Sequence, residues 1–154
     1  MKVLAINKRA NFDYEILETY EAGLALFGQE VKSIKTGHIS LKGAFVVMKS
    51  NPGKPLPELH LINAFVPLYK HASPNTNYDP YRSRKLLLKK SEIEHLVGKK
   101  QAEGLTLVPI KVYTKHSFLK LLFGVGKGKK KIDKREAIKK REMDRKIRTL
   151  TKIR

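Results

Sequence analysis

Positive charge is concentrated at the end of this chain, and this limits which residues can fold around a core. Residues 124–154 contain 14 Lys and Arg side chains and only four acidic ones, a net charge of +10 in 31 residues. Their apolar side chains are scattered, so this segment cannot bury enough apolar surface to offset the cost of ordering it. We therefore predict a folded body over residues 1–123 and a basic tail over residues 124–154.

The body is also basic. It carries 19 Lys and Arg against ten acidic residues, and the whole chain has a net charge of +19. Self-repulsion on this scale opposes compaction, which favours a polyanion as partner. The chain has no Cys, which excludes a disulfide scaffold, a thiolate zinc site and a Cys nucleophile. Its apolar stretches are too short for a secretory signal or a membrane span, so we expect a cytoplasmic protein with no membrane partner.

Apolar and β-branched runs separated by turn residues predict that the body consists mainly of strands. The first two predicted strands, Tyr14–Tyr20 and Gly23–Phe27, are joined at a bend. The other runs that indicate strands are 44–48, 59–66, 105–113 and 118–125. Five or six short strands with few helices favour a small closed sheet, such as an oligonucleotide-binding β-barrel. A β-sandwich has a similar sequence pattern and stays open as the alternative.

Helices are predicted at three places. Ser91–Glu94 has the spacing of a capping box, and residues 30–35 place apolar side chains on one face. In the tail, Asp133 has N-cap character, so a helix is expected to begin there. The apolar stripe of that helix is one residue wide and buries little surface. We therefore predict that the tail is mobile in the free protein and becomes helical against an anionic partner.

Motifs for catalysis are weak. The glycines at 124 and 128 are similar to those of a phosphate-binding loop, but three residues separate them where four are needed, and Lys130 stands where Ser or Thr would bind magnesium. The five His residues are dispersed without metal-ligand spacing, and no Ser lies in a Gly-x-Ser-x-Gly context. We expect no enzymatic activity, no metal and no cofactor. An RNA-processing enzyme stays open as an alternative of a different class.

Basic clusters in the body are interleaved with Tyr, Asn and Ser. Arg side chains make bidentate contacts with phosphate, and Tyr rings offer stacking surfaces for bases. The chain has no helix-turn-helix, zinc-finger or leucine-zipper pattern, so RNA is favoured over sequence-specific binding to DNA. The clusters are residues 7–9, Lys32 with Lys35, residues 81–85 with Arg82, Arg84 and Lys85, and residues 89–90.

Four blocks of sequence are specific enough to indicate a family. They are Glu21–Leu26, Gly28–Ser33, Asp79–Leu88, and Gly126–Lys130 followed by Asp133–Arg135. In this order, and over nearly the whole length of the chain, they resemble the small protein B family, the SsrA-binding proteins of bacterial trans-translation. A ribosomal protein or translation factor built on the same barrel is the alternative.

The resemblance implies an oligonucleotide-binding-type barrel without enzymatic activity. It implies that the protein binds the tRNA-like domain of transfer-messenger RNA and delivers it, with elongation factor Tu, to the A site of a stalled ribosome. Glu21, Leu87 and Lys120 fall at positions that the family uses for this RNA. We expect Glu21 to accept hydrogen bonds from bases or 2′-hydroxyl groups and Lys120 to bind phosphate. Leu87 either supplies an apolar contact or packs in the core.

The resemblance also assigns a role to the tail, which in this family enters the ribosomal decoding region and the vacant mRNA channel. Gly128, Lys129, Asp133, Lys134 and Arg135 match the tail motif of the family. We expect Asp133 to act as a helix N-cap, and Lys134 and Arg135 to contact phosphate.

The chain departs from the family pattern at three positions. Ile132 stands where relatives often have an aromatic residue or His, so an apolar contact is expected there in place of stacking. Met143 stands where Trp is common and likewise loses an aromatic contact. Tyr78 replaces a common His, which keeps a ring for stacking and removes protonation.

Overall fold

The computed structural model describes residues 1–73 and 77–153, and Arg154 of the predicted tail lies outside the described residues. Strands and helices alternate irregularly along this part of the chain. Their bounds are β1 Lys2–Ile6, α1 Ala10–Asp13, β2 Tyr14–Leu24, α2 Gly28–Lys35, β3 Phe45–Lys49, β4 Glu58–Ile62, β5 Arg84–Leu87, α3 Lys90–Glu103, β6 Thr106–Lys115, β7 Phe118–Gly128 and α4 Lys131–Ile153.

The strands form one antiparallel sheet in the order β1-β6-β7-β2-β5-β4-β3. In addition, β3 lies against β6, which brings the far edge of the sheet back towards its beginning. A sandwich would need two stacked sheets, whereas curling of one sheet around a single core produces a barrel. The expected mainly β, barrel-like body with short helices is confirmed.

Alternating burial along the strands separates the core from an outer face. In β4, Leu59 and Leu61 are buried, while their neighbours at 58, 60 and 62 are partly exposed. The helices add to the same core through Ile34 of α2 and Leu96 of α3. The core cluster also includes Ala22, Val46, Leu86, Val112, Leu121 and Phe123.

The second strand corrects one prediction. It is a single strand of 11 residues, not two strands joined at a bend. It pairs with β7 from Tyr14, opposite Gly128, to Gly23, opposite Lys120. An irregularity between Ile16 and Glu18 absorbs one residue, so the ladder continues without a turn.

Two helix starts also differ from the predictions. The third helix begins at Lys90 without a side-chain cap, so Ser91–Glu94 lies inside its first turn and is not a capping box. The fourth helix begins at Lys131, which places Asp133 in the first turn instead of at the N-cap. There Asp133 favours the helix through its charge near the N-terminus.

The helix predicted over residues 30–35 is confirmed as α2. It is followed by Gly37 in the left-handed region, with φ of 86°.

The strand β7 crosses the sequence-based boundary between residues 123 and 124. Gly124 and Gly126 are buried in the sheet, where a Cβ on Gly126 would lie 2.7 Å from the carbonyl oxygen of Glu15. These glycines therefore permit the close pairing of β7 with β2. The structured body extends to Gly128, and mobility of the remaining tail stays a prediction.

This packing generates a prediction for the Gly126→Ala variant. The new methyl group meets backbone, which cannot rotate away, so the free energy of unfolding should fall by about 1–3 kcal/mol. Urea unfolding measures this change. The matched control is Gly128→Ala in the same strand, since a Cβ there has no atom within 4 Å. Equal stabilities of the two variants would contradict the close approach of β7 to β2.

Candidate nucleic-acid interface

Strand pairing brings three distant residues onto one outer face of the sheet. Gly23 of β2 pairs with Leu87 of β5 on one side and with Lys120 of β7 on the other. Glu21 lies two residues before Gly23 and so points to the same face. We call Glu21, Gly23, Leu87 and Lys120 the β2 face. Leu87 is 52% exposed, so of its two expected roles core packing is wrong and a surface contact remains.

Glu21 is held in place by neighbours on β6. Its carboxylate accepts hydrogen bonds from the Tyr113 hydroxyl and from the Lys115 ammonium, the latter at 3.3 Å from Oε1. The Tyr113 hydrogen bond is the main reason that the pKa of Glu21 lies below its usual value, and Lys115 and Lys120 lower it further. Burial raises the pKa of Tyr113, and the Glu21 carboxylate raises it as well. Glu21 is therefore an oriented, ionised hydrogen-bond acceptor.

Two predicted phosphate ligands on this side of the sheet differ in their availability. Lys85 is 3.3 Å from Glu58, which neutralises part of its charge. Hydrogen bonds from His60 and then Lys85 lower the pKa of Glu58 to about 2. Lys120 is partly exposed, and within residues 1–73 and 77–153 its ammonium has no hydrogen bond or ion pair. An ammonium without a partner is ready to contact a phosphate oxygen.

Below this face, Glu30 of α2 is buried between two arginines. Its Oε2 accepts from Arg84 Nε at 2.5 Å, and its Oε1 accepts from Arg82 Nη2 at 2.5 Å. The Phe27 backbone N–H also donates to Oε1, at 2.9 Å. Burial by itself would raise the pKa of Glu30, but the hydrogen bonds from Arg82, the Phe27 backbone and Arg84 together lower it.

The environment of Arg84 corrects its predicted role as an RNA contact. The residue is 1% exposed, and each of its five N–H donors has an acceptor. These acceptors are Glu30, the carbonyl oxygens of Ala64, Arg82 and Pro80, and the Tyr78 hydroxyl. A buried guanidinium with satisfied donors cannot reach a phosphate, so Arg84 stabilises the fold beneath the interface.

Two further side chains take part in the same network. The Tyr78 hydroxyl donates to the Val66 carbonyl at 2.7 Å and accepts from Arg84, so this hydroxyl is committed to the network. Arg82 keeps 28% of its side chain exposed. Its guanidinium lies 4.2 Å from the centre of the exposed Phe27 ring. Arg82 can therefore present an edge to a ligand, whereas Arg84 cannot.

Lys32 lies apart from the β2 face. It is on α2, and its ammonium is 5.8 Å from the centre of the Tyr69 ring. None of the contacts that the structure describes for Lys32 involves a residue of the β2 face. It belongs to a separate basic surface.

The start of the tail is attached to α1. The Lys129 backbone N–H donates to the Asp13 carbonyl at 2.8 Å, and the Lys134 ammonium lies 3.4 Å from the Asp13 carboxylate. Hydrogen bonding with Arg9 is the main cause of the lowered pKa of Asp13. Two turns further along α4 the Arg141 guanidinium lies 5.2 Å from the Phe12 ring centre. These contacts place the beginning of α4 beside the body.

Several other tail residues are exposed. Arg135 and Asp133 are exposed, and Gly128 has open space at its Cα. Ile132 is 67% exposed and presents apolar surface where the sequence predicted an apolar contact, and Met143 is 66% exposed. A row of exposed apolar side chains on a basic helix is typical of a surface that is covered by a partner.

Two other features, a metal cluster and a membrane-spanning helix, are absent from the described residues. No group of three or more His, Asp or Glu side chains in this part of the chain is arranged to hold a metal ion. None of the described helices is long and apolar enough to cross a membrane. The absence of an enzyme activity and of cofactors stays a prediction.

The family model described as SmpB protein matches residues 4–153 of the chain. The chain belongs to the SmpB protein family. An SsrA-binding protein from Ligilactobacillus salivarius is 47% identical over 149 residues, which cover 97% of this chain and 92% of that relative. The SsrA-binding protein of Thermosynechococcus vestitus is 46% identical over 149 residues and 94% of each chain.

A solved structure supports the same assignment. It is described as "tmRNA-SmpB: a journey to the center of the bacterial ribosome", is 45% identical and has a TM-score of 0.62. The match covers 86% of this chain and 92% of that one. At 45% identity, this chain and the solved structure are similar in sequence as well as in fold.

In this SmpB-family chain, sequence reasoning missed the buried half of the site. Glu30 lies within the block that indicated the family, yet it was not predicted to be functional. The signal that could have identified Glu30 is its position three residues after Phe27. A Glu at this spacing can accept a hydrogen bond from the backbone N–H at the start of a helix. Tyr113 was missed because its role depends on cross-strand distances.

The buried carboxylate generates a prediction for Glu30→Gln. The neutral amide leaves Arg84 buried without its counter-charge, so we expect the free energy of unfolding to fall by about 3 kcal/mol or more at pH 7. Guanidinium unfolding measures the change. Glu15→Gln is the matched control, because Glu15 is exposed.

The same pair of variants tests the pH dependence. The folded pKa of Glu30 is lowered, so its contribution is present above the unfolded value of about 4.3 and is lost as the pH falls through the folded value. The stability difference between the wild type and Glu30→Gln should therefore shrink below pH 4. A difference that grows on acidification would contradict an ionised Glu30.

Proposed function

We propose that this protein binds the tRNA-like domain of transfer-messenger RNA and delivers that RNA to stalled ribosomes for trans-translation and peptide tagging. The relatives are named SsrA-binding proteins, and the similar solved structure is described as tmRNA-SmpB with the bacterial ribosome. The observation that carries the proposal is the register of Gly23 between Leu87 and Lys120. This register gathers on one surface an acceptor, an apolar side chain and a cation that forms no hydrogen bond or ion pair within residues 1–73 and 77–153.

Each residue of the β2 face has a distinct role in the proposed complex. The Lys120 ammonium contacts a backbone phosphate. The Glu21 carboxylate accepts from a base N–H or a 2′-hydroxyl group, because it is ionised and held by Tyr113 and Lys115. Leu87 covers an apolar part of the RNA. Gly23 has no side chain and so leaves room for Leu87, since a Cβ on Gly23 would lie 3.3 Å from the Leu87 Cβ.

The remaining basic side chains extend this surface. Arg82 contributes its partly exposed side chain, and Lys85 contributes an ammonium that also pairs with Glu58. Lys32 on α2 adds a long-range attraction from its separate surface. In this arrangement Arg84 supports Arg82 from below through Glu30 and makes no direct contact with RNA.

The tail serves the ribosome in this proposal. Its target is the ribosomal RNA of the decoding centre and the empty mRNA channel. Gly128 and Lys129 connect the last strand to α4, on which Ile132, Lys134 and Arg135 supply one apolar and two cationic contacts. Support comes from the +10 charge of residues 124–154 and the exposure of Ile132. Lys134 would exchange the Asp13 carboxylate for phosphate.

Delivery as proposed also needs a carrier. We include elongation factor Tu in the delivery complex, in the cytoplasm, and assign no catalytic step to this chain. The support is the sequence resemblance together with the absence of a catalytic motif in the sequence. An RNA-processing enzyme would cleave labelled RNA in the presence of Mg²⁺, and cleavage would overturn this assignment.

The β2 face generates a prediction for Lys120→Ala. Loss of one phosphate contact should weaken binding to the tRNA-like domain and reduce the slope of log K against log salt by about one. Filter binding at several salt concentrations measures both quantities. Lys42→Ala is the matched control, because Lys42 lines a groove with Ile6 and Arg9 on the α1 side of the body. An unchanged slope for Lys120→Ala would remove Lys120 from the phosphate contacts.

The division of labour generates a prediction for a chain that ends at Lys130. This truncation keeps β7 and the hydrogen bonds from Lys129 to α1, so the body should retain its stability and its affinity for the tRNA-like domain. Peptide tagging on stalled ribosomes should be abolished, because α4 is absent. A reconstituted tagging assay beside a gel shift separates the two activities. Equal loss of both, with the fold intact by circular dichroism, would contradict the division.

A further inference from the structure

We propose that Phe118 is a stacking surface for an unpaired RNA base at the edge of the β2 face. The inference rests on the proposed RNA-binding function and adds a residue that the sequence comparison did not indicate. Phe118 is the first residue of β7 and is 68% exposed. An aromatic ring this exposed contributes little to the core, so core packing does not explain why an aromatic residue stands at position 118.

Strand geometry places Phe118 on the same side as Lys120. Burial alternates along the start of β7: Phe118 is exposed, Leu119 is buried and Lys120 is partly exposed. Residues i and i+2 of a strand share a face and lie about 7 Å apart. A nucleotide whose phosphate contacts Lys120 therefore has its own base, or that of a neighbour, within reach of the Phe118 ring.

The hairpin turn fixes this ring in space. Phe118 pairs with Lys115 across a two-residue turn formed by His116 and Ser117. Both turn residues have positive φ, 49° and 68°, which is the geometry of a type I′ turn. This turn continues the twist of β6 and β7, so the ring is carried by regular strand and not by a loose loop.

The surroundings of the ring favour a nucleic acid over an apolar protein surface. Lys115 and Lys120 flank it, and Glu21 balances one of these charges. Within the described part of the chain no ring or cation lies against Phe118, and the residue is 68% exposed, so a large part of its surface is accessible to a ligand. A lone exposed ring beside cations matches the pattern of single-strand RNA recognition, in which a base stacks while lysines bind the backbone.

Variants of Phe118 test the proposal against a matched position. Phe118→Ala should weaken binding of the tRNA-like domain about tenfold, without a change in the salt slope, since no phosphate contact is lost. Phe45→Ala is the control: Phe45 is 44% exposed and begins β3, the last strand in the sheet order. It should bind as the wild type does.

A fluorescent variant gives a second readout. The chain has no Trp, so Phe118→Trp creates a single reporter. Its affinity should stay near that of the wild type, and a stacked base should quench its emission and protect it from acrylamide. Phe45→Trp should show neither effect.

The outcomes separate the two levels of the proposal. If the wild type fails to bind the tRNA-like domain, the proposed function fails. If the wild type binds and Phe118→Ala binds equally well, only the stacking role is overturned. Unchanged Trp emission at saturating RNA overturns it as well.

Discussion

The buried carboxylate of Glu30 is the constraint on which the rest of the structure depends. One oxygen accepts from Arg82 and the other from Arg84, so a single side chain of α2 fixes β5 and the segment before it. Desolvation of an unpaired carboxylate or guanidinium would be costly, and full hydrogen bonding removes most of this cost. The position of β5 in turn sets which residue faces Gly23, and therefore where Leu87 lies.

The geometry of the sheet decides which charged side chains of the body are available to RNA. The net charge of +19 divides almost equally between the body and the tail, but only in the body is it arranged by strand register. There, acidic partners such as Glu21 and Glu58 orient or neutralise some lysines, and among the described residues the Lys120 ammonium has no hydrogen bond or ion pair. On α4 the charges are exposed along one helix beside α1. The body thus presents RNA with charges positioned by the sheet, and the tail presents charges along the length of a helix.

The sequence predicted the mainly β body, the helix α2 and the family blocks, because local patterns and short motifs carry them. It placed Arg84 on an RNA surface because a basic cluster does not reveal which side chain points inwards. The break predicted in β2 is absent because pairing with β7 overrides local preference at Glu21 and Ala22. Side chains alternate along every strand, but which of them face the core depends on how the strand pairs in the sheet. The exposure of Leu87 could therefore not be predicted from the neighbouring residues alone.

We propose that the β2 face recognises the tRNA-like domain and not RNA in general. Gel shifts with equal amounts of the tRNA-like domain and of an ordinary tRNA at physiological salt compare the two affinities. We expect clearly tighter binding of the tRNA-like domain, with the preference reduced when Glu21 is changed to Ala. Equal affinity for the two RNAs would contradict it.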